Sequence, residues 1–121
     1  MEEGTESTVS KTASGDIVRY GAPELIETYN ACGTKASDAY SFAMLILECI
    51  TEKKPFHHLT RDAAVVHVRI DKKVDPPRPH GQDPKKGVSD DLWSLMTRCW
   101  SREPNSRPTM EEVHSFLLFN V

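Results

Sequence analysis

The stretch Asp38-Ala-Tyr-Ser-Phe-Ala-Met-Leu-Ile-Leu-Glu-Cys-Ile50 decides the fold, because it is apolar on almost every face of a helix. A helix of that kind has to be buried. Ser37 is expected to cap its first turn by accepting a free backbone N–H, and Asp38 suits the positive end of the helix dipole. Lys53-Lys54-Pro55 is expected to end it. Cations favour the negative end of the dipole, and a proline pushes its predecessor out of helical geometry. The run is too short, and holds too much Asp, Ser and Glu, to span a bilayer. It reads as the central helix of a mainly α domain, with the rest of the chain supplying its cover.

Working outward, 121 residues allow one domain with a modest core. Net charge is −3 with both signs interspersed, so neither nucleic acid nor an anionic membrane is an expected partner. Cys32, Cys49 and Cys99 are odd in number and widely spaced, which suits free thiols in a reducing compartment. The acidic N-terminus has no apolar stretch for a signal peptide. These features point to the cytoplasm, or the nucleus.

Residues 1–14 are hydroxyl-rich and acidic, with too little apolar surface to offset the entropy of ordering, so a disordered polar tail is expected there. Its hydroxyls could accept phosphate and pair with an arginine such as Arg19, although a plain polar tail is simpler. From residue 15 onward the chain reads as one domain. Asp16 to Glu27 reads as an extended apolar strip entering a short helix that Pro23 opens, with Glu24 in its first turn. Thr28 to Lys35 reads as a loop, as does Thr51 to Leu59. His57 and His58 are adjacent and lack a suitably spaced third ligand, so no metal site is expected. Over residues 61–70 the pattern leaves strand and helix both open: Val66, Val68 and Ile70 alternate, while Ala63, Val66 and Ile70 share a helical face. Asp75-Pro-Pro-Arg-Pro79 must be extended, and a rigid connector accounts for it more simply than a proline-motif ligand; Gly81 to Gly87 continues as a loop. Ser89 caps a helix with Leu92, Leu95, Met96 and Cys99 on one face, and Thr109-Met-Glu-Glu112 makes a capping box for a last helix with the stripe Val113, Phe116 and Leu117.

Four strings in this order resemble one family: Val18-Arg-Tyr-Gly-Ala-Pro-Glu24, Ser37-Asp-Ala-Tyr-Ser-Phe-Ala43, Pro76-Pro-Arg-Pro79 and Cys99-Trp-Ser-Arg-Glu-Pro-Asn-Ser-Arg-Pro-Thr109. Together they resemble the second half of a protein kinase C-lobe, from the A-P-E motif of the activation segment through helix I. The likeness covers about residues 14 to 118, and the Cys-Trp and Tyr-Ser-Phe strings look most like tyrosine-kinase-like serine/threonine kinases. The resemblance implies a mainly α partial kinase C-lobe (helices EF, F, G, H and I) without the N-lobe sheet, and makes residues 61–70 helix G. It further implies a buried ion pair between Glu24 and Arg107 and a peptide-substrate strip at Ile17, Val18, Arg19 and Tyr20. Asp38, at the start of helix F, would brace the catalytic loop.

Phosphoryl transfer needs a phosphate-covering Gly-rich loop, a lysine on the phosphates, a catalytic Asp, and an Asn and Asp for Mg²⁺. The chain has no GxGxxG, no V-A-I-K-like strand, no H-R-D and no D-F-G. The resemblance therefore assigns it no catalytic, cofactor-binding or metal residue, and implies ATP and Mg²⁺ only for a full-length parent. Ile17 stands where serine/threonine kinases have a threonine, and Gly21 and Ala43 replace a usual bulky residue and a glycine. What is expected is a truncated, inactive kinase domain from a signalling protein, or else a pseudokinase-like module that binds kinases or their substrates. In the family, helix E and the catalytic loop cover part of helix F. Losing that cover from about four or five apolar side chains would cost roughly 6–15 kcal/mol, so a protein partner or the missing kinase segments should lie over helix F.

Overall fold

The computed structural model describes residues 17–28, 31–79 and 88–120. The tail expected at residues 1–14 and the loop expected over 81–87 lie outside the described residues. In order come a helical turn over residues 17–20, α1 (Pro23–Glu27), α2 (Lys35–Thr51) and α3 (Asp62–Val66). A π-helical turn (His67–Asp71) continues α3 and is followed by α4 (Asp90–Cys99), a 3₁₀ turn (Pro104–Ser106) and α5 (Met110–Asn120). No strand occurs among the described residues.

Thr34, not Ser37, caps the central helix α2. The Ser37 N–H donates to Thr34 Oγ1 at 3.0 Å and the Thr34 N–H donates to Ser37 Oγ at 2.7 Å, a reciprocal box that starts the helix at Lys35 and buries Ser37. At the other end Glu52 takes left-handed backbone (φ 62°), so the helix stops just before Lys53-Lys54-Pro55. Ala39, Tyr40, Ala43, Met44 and Leu47 are buried where α4, α5 and the 3₁₀ turn meet α2. The opposite side is open: Leu45 is 48% exposed and Cys49 is exposed, with Phe42 and Ile46 partly buried between. Burial on every face is therefore corrected to burial on one, because no described element covers the other.

The extended strip expected before Pro23 is also corrected. Residues 17–20 wind into a turn that the Gly21 N–H closes on the Ile17 carbonyl at 2.8 Å. A Cβ at Gly21 would lie 2.6 Å from that oxygen, so the tight turn requires glycine here. Residues 61–70 are helical rather than a strand. Val65 and Arg69, four apart, form the buried face, and the alternating Val66, Val68 and Ile70 are each only half-buried. Beyond residue 66 the helix widens, with the Lys72 N–H reaching the His67 carbonyl five residues back at 3.1 Å.

The last two helices start on local chemistry. Ser89 Oγ accepts the Leu92 N–H at 3.1 Å, and Leu95, Met96 and Cys99 turn inward. Thr109 and Glu112 exchange hydrogen bonds at 3.0 and 3.1 Å, and Val113 is buried in the next turn. Arg78 fastens the prolyl connector to the start of α4 through the Val88 carbonyl at 2.8 Å and Asp90 at 2.6 Å.

Candidate functional site

Two buried arginines fix the turn at residues 17–21, Arg19 from within it and Arg69 from the π-helical continuation of α3. Arg19 is 3% exposed; one Nη donates to the carbonyls of Pro55 (3.0 Å) and Phe56 (2.9 Å), the other to that of Leu59 (2.7 Å). Its Nε lies 3.7 Å from Asp62. Arg69 is fully buried and reaches the turn from the opposite side. It donates to the Val18 carbonyl at 2.7 Å, the Gly21 carbonyl at 2.8 Å and the Tyr40 hydroxyl at 2.9 Å. Its guanidinium lies 5.3 Å from the Tyr40 ring centroid and 6.0 Å from that of Phe56, while its Nε has no partner. Among the described residues no carboxylate bonds to this cation, which backbone dipoles and aromatic faces stabilise instead. Asp75 feels its charge, yet burial pushes the Asp75 carboxyl above the usual range despite Arg102 and Arg69.

The next clasp joins the start of α1 to the turn before α5. Arg107 meets Glu24 side-on, Nη1 to Oε2 at 2.7 Å and Nη2 to Oε1 at 2.8 Å. It also donates to the Ser101 and Ala36 carbonyls at 2.9 and 3.1 Å, and it sits 4.9 Å from the Tyr40 ring centroid. The Arg107 side chain is fully buried and Glu24 about one-third exposed. Hydrogen bonds from Arg107 hold the Glu24 carboxyl below the usual carboxylate range, against the opposing effect of burial.

The structure thus brings Glu24 and Arg107 together and sets Tyr20 on Glu48, hydroxyl to Oε1 at 2.6 Å. It turns Val18 and Arg19 into the interior, leaves Ile17 half-buried, and places Asp38 in solvent on the first turn of α2. The described residues contain no group of three or more His, Cys, Asp or Glu suited to a metal ion. The sequence likewise holds no Gly-rich loop, lysine strand, H-R-D or D-F-G.

A profile of protein tyrosine and serine/threonine kinases matches residues 2–117. The chain belongs to this protein kinase family. It is similar to human proto-oncogene tyrosine-protein kinase ROS, 34% identical over 101 residues, which is 83% of this chain and 4% of that protein. It is also similar to human mitogen-activated protein kinase kinase kinase 7, 34% identical over 92 residues, 76% of this chain and 14% of that protein. The chain therefore spans a small part of either relative's length.

Within this partial kinase C-lobe, sequence reasoning missed Arg69 and the inward course of Arg19. The only available signal was a lone arginine among valines and isoleucine at Val68-Arg-Ile70, on a face otherwise apolar.

Proposed function

We propose that this chain is part of a longer protein kinase, of the serine/threonine, tyrosine-kinase-like group, and transfers no phosphate alone. The observation that carries this is the open side of α2, where Leu45 and Cys49 are exposed and Phe42 and Ile46 only partly covered, on a helix whose first turn holds Asp38 in solvent. In the parent, the segments bearing the missing catalytic motifs would cover that side, and Asp38 would brace their catalytic loop. Glu24 and Arg107 would act as a structural tie. The turn at residues 17–20 would offer peptide substrates its outer edge, since the side chains of Val18 and Arg19 point inward. The setting would be cytoplasmic phosphorylation signalling.

A second reading is a non-catalytic, pseudokinase-like module that binds kinases or their substrates. Its support is Gly21 and Ala43 at positions where active kinases carry a bulky residue and a glycine, and Ile17 in place of a threonine.

One experiment separates the two. An antibody against residues 75–90 is used to blot extracts of the protein's own cells, and the captured band is treated with a photoreactive ATP analogue. A band above roughly 30 kDa, a two-lobed kinase's size, that labels with the analogue supports the first reading. A band near 13.6 kDa that does not label supports the second. A band near 13.6 kDa that labels and transfers phosphate overturns both.

A further inference from the structure

The nine residues Lys53 to Arg61 carry Lys53, Lys54, His57, His58 and Arg61 and no Asp or Glu, in a chain whose net charge is −3. With Glu52 before them they form the loop between α2 and α3, and a groove of about 230 Å³ runs between this loop and the prolyl connector. Its floor is apolar, made by Leu47, Pro55 and Phe56, all buried in the core. Its rim is basic: Lys54 and Arg78 line it with the imidazoles of His57 and His58, and no acidic side chain among the described residues does.

We infer that this groove docks an acidic peptide segment that inserts one apolar side chain between basic flanks. Three features support it. The volume suits one side chain and is below that of a drug-sized ligand pocket, so a peptide fits better than a small molecule. The rim is held in place before any ligand arrives: Arg19 grips the Pro55, Phe56 and Leu59 carbonyls from beneath, and Phe56 is fixed at a φ of 56°. Among the described residues no carboxylate pairs with Lys54, His57 or His58. Arg78 is already shared with Asp90, but Lys54, His57 and His58 face solvent. Burial, and then the nearby charges of Lys53 and His58, lower the His57 pKa, so at neutral pH the fixed positive charges of the rim are those of Lys54 and Arg78. The basic surface is too short to track a nucleic-acid backbone, and nucleic acid would make no use of the floor. Docking requires no phosphoryl transfer, so the inference holds under either functional reading.

The test is fluorescence anisotropy on the 121-residue chain with three labelled peptides: a leucine flanked by glutamates, the same leucine flanked by lysines, and a serine flanked by glutamates. A single-stranded oligonucleotide of equal charge is the fourth probe. The expected result is saturable binding of the glutamate-flanked leucine below about 1 mM, weaker binding of the other three, and loss of affinity at raised salt. Combining Lys54→Ser, His57→Ser and His58→Ser should weaken it at least about fivefold, since the Lys54 charge and both imidazole donors are removed from the rim. Lys54→Glu alone, with unchanged circular dichroism, should weaken it in the same direction. Equal binding of the lysine or serine peptide, tighter binding of the oligonucleotide, no binding at about 1 mM, or indifference to Lys54→Glu overturns the inference.

Discussion

Replacing Arg69 by alanine tests whether a buried cation without a bonded carboxylate stabilises this lobe. The side chain makes three charge-assisted hydrogen bonds, to the Val18 and Gly21 carbonyls and the Tyr40 hydroxyl. At about 1.5–3 kcal/mol each, these amount to roughly 4–9 kcal/mol gross. Against this stands the desolvation of the guanidinium and its unpartnered Nε, worth about 1–3 kcal/mol. The expected net loss for Arg69→Ala is therefore about 1–8 kcal/mol, centred at roughly 4–5 and a large share of a domain stability of about 5–15 kcal/mol. Urea unfolding followed by tryptophan fluorescence reads it directly: with a slope of about 1–3 kcal/mol per molar, the midpoint should fall by roughly 2 M. Arg69→Met keeps the stem and removes the donors, so it should recover less than about half of the loss. A midpoint shift under about 0.5 M for the alanine variant, or full recovery with methionine, would show that packing rather than the guanidinium holds the turn.

Three further outcomes are expected. Glu24→Gln should cost about 2–3 kcal/mol at neutral pH, less than a fully buried pair because Glu24 is about one-third exposed. Since Arg107 holds the folded Glu24 pKa below its unfolded value, that contribution is complete above the unfolded value and is lost as pH falls through the folded one. Wild-type and Gln midpoints should accordingly draw together as pH falls below the unfolded glutamate value of about 4.3. Thiol titration at pH 8 should find Cys32 and Cys49 reactive and Cys99 silent until denaturant is added, because burial pushes the Cys99 thiol up to about 11; early labelling of three thiols would refute that. Leu45→Glu should change the stability of the 121-residue chain by no more than about 0.5 kcal/mol, while sharply lowering the yield of any longer polypeptide that covers this side of α2.

Much of this lobe is legible where chemistry is local. The Ser89 cap, the Thr109 box and the apolar face of α4 each need only a few neighbouring residues, and each stands where the spacing puts it. The start of α2 misled because two hydroxyl residues three apart compete for the cap, and the outer one wins when the inner one answers it. The Glu24–Arg107 pair is reachable only through family likeness, as nothing between residues 24 and 107 announces the contact. Arg19 and Arg69 were illegible for another reason. Their acceptors are mainly backbone carbonyls, which every residue carries, so the partner side leaves no mark in the sequence.

The same three arginines set an order of assembly. Arg19 bonds residues 36 to 40 positions away, Arg69 bonds residues up to 51 away, and Arg107 reaches Glu24 across 83. Contacts so distant along the chain wait for loop closure, whereas helices with local caps form at once. The clasps should therefore close after the barrier to folding has been crossed. Removing one should accelerate unfolding far more than it slows folding, so these arginines govern how long the lobe stays folded rather than how fast it forms.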